Sequence, residues 1–291
     1  MKPAPFHYHA ANSAADAAQL LGDLGDDAKL ISGGQSLAPM LAMRLVRFDH
    51  LVDISRVADL RGIDRNDGTL IVQAATPDVL VERSDIVVAS VPLLTKVTPL
   101  IGHFQIRNRG TIGGSIAHAD PAAEYPAVAL ALGAQMECLS VRGTRMIDAA
   151  DYFVGIWSTS MESDELLKAI HFPVWSGRVG FGVAEFARRH GDFAIAGAVA
   201  AVELDSGNVI SRCSIAMFGV SGQPERALST ESHLLGSTVG EISPEEVGRL
   251  AIADVESPSD DANMPATYRM SVAASTVATA WTNALTEAHH G

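Results

Sequence analysis

Two glycine-rich segments carry the clearest chemical signal in this sequence. Residues 32–37 read SGGQSL, and residues 111–115 read TIGGS. A pair of glycines allows positive φ and so lets successive backbone N–H groups point into one concavity, which binds phosphate without a lysine. The hydroxyl of Ser36 and the amide of Gln35 add further donors. Two such segments predict a diphosphate site, whereas either one alone is equally consistent with an ordinary tight turn.

Other phosphate and catalytic motifs are missing from the sequence. No GxGxxG follows a strand pattern and no GxxxxGK[ST] occurs, so neither a Rossmann nor a Walker site is predicted. His118, Asp120 and Glu124 cluster after the second segment without a recognisable ligand spacing, so we predict no metal site. No acid–base or nucleophile constellation stands out, and the catalytic residues are unknown from the sequence. This pattern suggests that a bound cofactor supplies the chemistry.

The elements that must position these segments follow from the apolar patterning. A short apolar strand runs straight into the first segment, whereas the second is predicted as a loop over 109–121. Helices are expected at 14–24, across roughly 77–101, and at 126–133, 224–235, 243–255 and 265–287. Strands are expected at 28–31, 51–54, 134–141 and 165–173, with a hairpin at 63–74 and a meander at 180–187, 195–204 and 209–220. Because strands and helices do not alternate regularly, the predicted fold class is α+β.

Composition limits the function classes. The chain has 291 residues, of which 47% are hydrophobic, and a formal net charge of −13. That length suggests roughly two domains, and that charge is a poor match for general binding to nucleic acid or to an anionic membrane. No apolar run reaches the ~18–20 residues of a membrane helix, and no secretory signal is visible. Cys138 and Cys213 are too few to ligate an iron–sulfur cluster, and the expected location is cytoplasmic.

Longer stretches around the two segments resemble a known family. "ISGGQSLAPMLAMRL", followed about seventy residues later by "QIRNRGTIGGSIAHADPAAEYP", resembles the FAD-binding medium subunit of the molybdenum hydroxylases. This is the family of the carbon monoxide dehydrogenase medium subunit and the flavin domain of xanthine dehydrogenase. The resemblance covers nearly the whole chain and includes "LLKAIHFP", "FARRHGDFAIAGAVAAV" and "ATYRMSVAAS".

The resemblance implies a fold and a cofactor. Residues 1–176 would form a PCMH/vanillyl-alcohol-oxidase-type FAD-binding domain with lobes at about 1–60 and 61–176. Residues 177–291 would form a carbon monoxide dehydrogenase flavoprotein C-terminal domain of antiparallel sheet and helices. FAD would bind non-covalently between the lobes, because no Cys or His falls at a recognisable flavinylation position. The implied cofactor-binding residues are Ser32, Gly33, Gly34, Gln35, Ser36, Leu37, Ile101, Thr111, Ile112, Gly113, Gly114, Ser115, Glu124, Leu167 and Phe193.

The resemblance also implies partners. Electrons would pass from the [2Fe-2S] clusters of a small subunit to this FAD and then to an external acceptor. The substrate would be oxidised at molybdopterin on a large subunit, in an expected dimer of heterotrimers. The sequence encodes neither the acceptor nor the substrate, whether CO, a purine, an N-heterocycle or an aldehyde. Candidates for a positive docking rim are Arg107, Arg109, Arg188 and Arg189, with solvated or internally paired arginines as the alternative.

Two departures and two rival functions remain open. Ser115 stands where the family usually has Asn, and Thr76-Pro77-Asp78 stands where it often has Thr–His or Thr–Thr. One alternative function is a stand-alone flavin reductase or oxidase of the same fold. The other is a flavin-free assembly subunit, against which the intact double-glycine segments argue.

Overall fold

The computed structural model describes residues 2–260 and 264–290 of the chain. Within these residues, strands and helices are both abundant and do not alternate regularly, which confirms the predicted α+β class. The strands in chain order are β1 (His7–Ala10), β2 (Ala28–Ile31), β3 (His50–Asp53), β4 (Ile63–Asn66), β5 (Thr69–Gln73), β6 (Gln135–Ser140), β7 (Gly143–Asp148), β8 (Phe153–Gly155), β9 (Ser158–Thr159), β10 (Leu166–Pro173), β11 (Arg178–Phe186), β12 (Ala196–Leu204), β13 (Ile210–Phe218) and β14 (Glu225–Arg226).

The helices are mostly short until the last quarter of the chain. No helix within residues 2–260 and 264–290 is long and apolar enough to cross a membrane. The helices in chain order are α1 (Ala14–Leu24), α2 (Leu37–Ala42), α3 (Asp78–Glu82), α4 (Asp85–Ser90), α5 (Pro92–Val97), α6 (Phe104–Arg107), α7 (Ile112–His118), α8 (Glu124–Leu132), α9 (Ala149–Tyr152), α10 (Leu228–Leu234), α11 (Pro244–Ala253) and α12 (Ala266–His290).

The first sheet is parallel and three-stranded, in the order β1-β3-β2. Ser13 caps α1 by accepting a hydrogen bond from an N–H of the first turn. The buried alanines of α1 and Leu21 recur at helical spacing and pack with Val52 of β3. This packing fixes the direction of β2, so that Ile31 delivers the chain into the segment at 32–37.

The second sheet is antiparallel, in the order β4-β5-β10-β6-β7. The predicted hairpin is confirmed as β4–β5, whose turn residues Asp67 and Gly68 have φ of +41° and +81°. Every residue of α8 is buried, which explains why its sequence has no polar face. In the core of this part, α8 packs against α5 and α7 and against the strands β12 and β13.

The third sheet, β11-β12-β13-β14, is the predicted antiparallel meander, and α12 packs against it. A Cβ on Gly180 or Gly182 of β11 would overlap the carbonyl oxygen of Ala284 or Ala280 in α12, so the helix lies directly on the strand backbone. Helix α5, which packs near the second sheet, is connected to α12 by an ion pair of 3.0 Å between Lys96 and Glu287. The predicted domain boundary at 176/177 falls between β10 and β11 and stays a prediction.

Three local expectations were wrong. The predicted loop at 109–121 contains α7, because the side chain of Thr111 accepts a hydrogen bond from Gly114 N–H and so caps a helix. The predicted helix at 224–235 begins only at Leu228, since the two residues of β14 pair with β13 first. Strand β7 was missed because five of its six residues are exposed, which leaves no apolar alternation to detect.

The contact between α12 and β11 generates a stability prediction. Gly182→Ala should lower the free energy of unfolding by about 1–3 kcal/mol, because the new methyl group meets the helix backbone, which cannot move without repacking. Gly22→Ala is the matched control, since its Cβ would make an ordinary contact of 3.4 Å with Val141 and would stabilise helix α1 by roughly 0.5–1 kcal/mol. Urea unfolding of the two variants measures both effects, and equal stability would contradict the close approach.

Candidate functional site

The two glycine-rich segments meet in one cavity of about 680 Å³. They touch directly, because the Thr111 hydroxyl donates a hydrogen bond of 3.1 Å to the Ser32 hydroxyl. The sequence separation of these two side chains is 79 residues, so only the tertiary structure brings them together. Of the residues implied by the resemblance, all but Ile112 line this cavity.

The first segment presents an array of free backbone donors. The N–H groups of Gly33, Gly34, Gln35, Ser36 and Leu37 donate to no acceptor among residues 2–260 and 264–290. Buried backbone N–H groups are almost always paired, so five consecutive half-buried residues whose N–H groups have no protein acceptor beside a cavity indicate a ligand site. Successive N–H groups of this kind attract anions, and the segment therefore matches the predicted phosphate concavity.

The second segment does not form the predicted second concavity. Four of its five N–H groups donate to acceptors of the protein. Ile112 donates to Thr76 O and Gly113 to Ala74 O, whereas Gly114 and Ser115 donate to Thr111 Oγ1 and Thr111 O. Ile112 also does not line the cavity, because its side chain is fully buried in the core. What this segment offers the cavity is the hydroxyl groups of Thr111 and Ser115, not an amide array.

The glycines are required for a different reason than the sequence suggested. Positive φ was the expected role of both pairs, but only Gly34, at +71°, has it. A Cβ on Gly33 would overlap the carbonyl oxygen of Arg109, and a Cβ on Gly113 would overlap Ala74. The first segment therefore packs backbone to backbone against the chain that leads into the second, and glycine is what permits this approach.

Three carboxyl groups cluster at the cavity. Asp78 and Glu124 line it and are only 3% and 9% exposed. Glu185 lies near Glu124 and is supplied by β11, from beyond the predicted domain boundary. Burial raises the pKa of Asp78 to about 8, although the nearby Arg107 opposes the shift. Burial, followed by the neighbouring Glu185 charge, raises the pKa of Glu124, and burial raises that of Glu185. Sequence reasoning found Glu124 through the resemblance and missed the other two.

The apolar residues implied by the resemblance lie at different depths. Leu167 is buried in the cavity wall, whereas Phe193 is 71% exposed at the cavity mouth. Ile101 is half-buried, and its carbonyl oxygen accepts a hydrogen bond of 3.2 Å from Arg107. The guanidinium of Arg107 also pairs with Glu82 at 2.9 Å, so this arginine is internally paired and is not part of a docking rim.

Two more lining residues were missed by the sequence analysis. Lys29, in the strand that leads into the first segment, faces the cavity and has no carboxylate within ion-pair distance among the described residues. Desolvation lowers its pKa. Trp157 stacks on His118 with ring centroids 6.1 Å apart, and its backbone is left-handed at φ +52°. A non-glycine residue in that conformation is strained, which is typical of ligand-contacting positions.

Family models assign this architecture. Residues 4–175 match the FAD binding domain in molybdopterin dehydrogenase, and residues 182–284 match the CO dehydrogenase flavoprotein C-terminal domain. The chain belongs to the molybdenum hydroxylase family of FAD-binding medium subunits. It therefore carries an FAD-binding domain, as the resemblance implied.

Individual relatives agree with this assignment along nearly the whole chain. The carbon monoxide dehydrogenase medium chain of Hydrogenophaga pseudoflava is 37% identical over 94% of each sequence. The 6-hydroxypseudooxynicotine dehydrogenase complex subunit alpha of Paenarthrobacter nicotinovorans is 41% identical over 88% of this chain and 86% of its own. A solved structure of carbon monoxide dehydrogenase from Hydrogenophaga pseudoflava superposes with a TM-score of 0.95, 36% identity and 99% coverage of both chains.

The cavity fits FAD on its own chemistry. Five unpaired amides suit the phosphate oxygens of the diphosphate, and the adjoining hydroxyl groups of Ser32 and Ser115 add donors. The described residues hold no group of three or more His, Cys, Asp and Glu side chains arranged for a metal ion.

The burial of Asp78 generates a pH prediction for the flavin-free chain. Because its folded pKa is raised from 3.8 to about 8, the proton-dependent stability is fully present below pH ~4 and is lost as the pH rises to ~8. Asp78→Asn needs no proton, so its melting temperature should exceed that of the wild type progressively more between those limits. Asp64→Asn, at an exposed position on β4, is the control. If the difference in melting temperature between Asp78→Asn and the wild type is the same at every pH, the assignment of a proton to Asp78 is wrong.

Proposed function

We propose that this chain is the FAD-carrying electron-transfer subunit of a molybdenum hydroxylase. Electrons would arrive from [2Fe-2S] clusters on a partner subunit and leave from the flavin to an external acceptor. The observation that carries the proposal is the array of unpaired amides at 33–37, which faces a cavity sized for a cofactor in a chain of this family. FAD supplies the ability to accept an electron pair and to exchange electrons singly.

The residues of this chain would bind and enclose the cofactor. The amides of 33–37 and the hydroxyl groups of Ser32 and Ser115 would hold the diphosphate. Lys29, in the strand before them, would add a positive charge to the cavity wall. Leu167 would form part of an apolar wall that excludes water. Phe193, exposed at the mouth, is placed where a partner subunit or an acceptor can approach.

Under the same proposal, the organic substrate would bind to another subunit of the complex. The relatives described above are named for carbon monoxide and for 6-hydroxypseudooxynicotine, yet each aligns along nearly the whole chain. The substrate would be oxidised on a large molybdopterin subunit, and a small subunit would carry the clusters, in a dimer of heterotrimers.

We assign residues 1–176 to the FAD domain and 177–291 to the C-terminal domain. The unpaired thiols of Cys138 and Cys213 support a cytoplasmic location.

The first test is the cofactor itself. The purified chain should absorb visible light as a flavoprotein, and acid precipitation should release FAD into the supernatant because nothing links it covalently. Released FMN, or flavin that stays in the pellet, would contradict the cofactor assignment. A colourless chain that cannot be reconstituted with FAD would favour the flavin-free assembly subunit.

The second test concerns the electron path. The chain alone should oxidise no organic substrate, whereas once reduced with dithionite it should pass electrons to artificial dyes. Co-expressed with its large and small partner subunits, it should elute with both in gel filtration. Oxidation of an organic substrate by the isolated chain would favour the stand-alone reductase or oxidase, and elution alone beside available partners would overturn the subunit assignment.

A further inference from the structure

Acidic side chains form one part of the cavity wall, although basic side chains would attract an anionic cofactor more strongly. Asp78 and Glu124 both face the cavity and are almost completely buried, and neither forms an ion pair among the described residues. The nearest cation, Arg107, is committed to Glu82 and to the carbonyl oxygens of Ile101 and Gly102. Two buried carboxylates would repel the diphosphate of FAD, so their ionisation state decides whether the cavity accepts it.

A third buried acid lies beside Glu124. Glu185 on β11 is near enough to Glu124 on α8 that its negative charge raises the pKa of Glu124, so ionising both carboxyl groups together is unfavourable. The buried Oε2 atom of Glu185 receives no hydrogen bond from any N–H or hydroxyl group of the described residues. Glu185 itself does not line the cavity, so it acts on the cavity only through Glu124.

Burial also favours the protonated form of Asp78. Its Oδ1 atom is buried and has no hydrogen-bond partner within the described part of the chain. An ionised Asp78 would leave this oxygen as an uncompensated buried charge, whereas a protonated Asp78 carries no charge. The charged groups around it are Arg107 on α6 and Glu82 on α3, and these two neutralise each other.

We propose that Asp78 and Glu124 face FAD as neutral carboxylic acids, that Glu185 is the positioning residue that holds the proton on Glu124, and that FAD binding therefore takes up protons. The proposal rests on this cavity being the FAD site. Tyr125 is the remaining titratable neighbour, and it stays neutral because complete burial raises its pKa far above 10. The diphosphate adds negative charge, which increases the proton affinity of both acids.

Linkage makes this coupling reciprocal: if FAD strengthens proton binding, protons strengthen FAD binding by the same factor. Above the pH at which the acids begin to ionise in the flavin-free chain, about 8 for Asp78, the dissociation constant of FAD should rise. The rise should be about tenfold per pH unit for each proton taken up.

The test is calorimetric titration of FAD into the flavin-free chain at about pH 6, 7.5 and 9, in two buffers of different ionisation enthalpy. The wild type should show proton uptake that grows with pH. Glu124→Gln keeps a neutral donor, so it should bind FAD normally near pH 6 and lose about one proton of the pH dependence. Glu185→Gln removes the charge that keeps Glu124 protonated, so its affinity should begin to fall at a lower pH than in the wild type.

The controls separate this role from a structural one. Glu137→Gln alters an acid that lies outside the cavity and is already paired with Lys168 and His171, so it should leave the proton uptake unchanged. A Glu185→Gln variant that weakens FAD equally at every pH would reduce Glu185 to a packing role and overturn the proposal. Wild-type chain that binds FAD without proton uptake would also overturn it while leaving the proposed function intact, whereas no FAD binding at any pH would refute the proposed function itself.

Discussion

The site depends on one close backbone approach, between Gly33 and the carbonyl oxygen of Arg109. Any side chain at Gly33 would push the first parallel sheet away from the chain that enters α7. This displacement would also break the hydrogen bond between Ser32 and Thr111. A buried hydrogen bond from Asp78 N–H to Gly110 O at 2.9 Å holds the other side of this junction. The cavity thus exists because two parts of the chain, far apart in sequence, touch through main-chain atoms.

An acidic protein binds an anionic cofactor here largely without cationic side chains. The net charge of −13 opposes the diphosphate at long range, but exposed charges are screened within about 8–10 Å at physiological salt. Inside the cavity the local groups decide, and the unpaired amides of 33–37 provide fixed positive dipoles. Asp78 and Glu124 interfere little as long as burial keeps them protonated.

The C-terminal sheet contributes to the site as well as to stability. Strand β11 carries Glu185 to the cavity acids, and the loop after it places Phe193 at the mouth. The position of β11 is in turn fixed by α12, which lies directly on Gly180 and Gly182, and by the ion pair between Lys96 and Glu287. Changes in that helix contact can therefore reach the cavity through the strand.

The sequence by itself determined the elements whose patterns are local. Helix α1 has its predicted bounds, the β4–β5 hairpin was indicated by its Asn-Asp-Gly turn, and the meander by apolar runs with an Asp-Ser-Gly-Asn turn, because each depends on neighbouring residues. Motifs and resemblance also identified the family and most of the residues around the cavity. Glycine pairs and periodic apolar residues can be recognised in a sequence because recognising them does not require knowledge of their tertiary contacts.

Only the tertiary structure decided how the site works. Glycine at 33 and 113 serves close packing instead of positive φ. Two amides of the second segment, those of Ile112 and Gly113, donate to Thr76 and Ala74, which lie almost forty residues away in the sequence. Asp78 and Glu185 gave no sequence signal, because an isolated acid in a sequence looks solvated. Burial and a facing carboxyl group change its protonation, and both are properties of the folded chain alone.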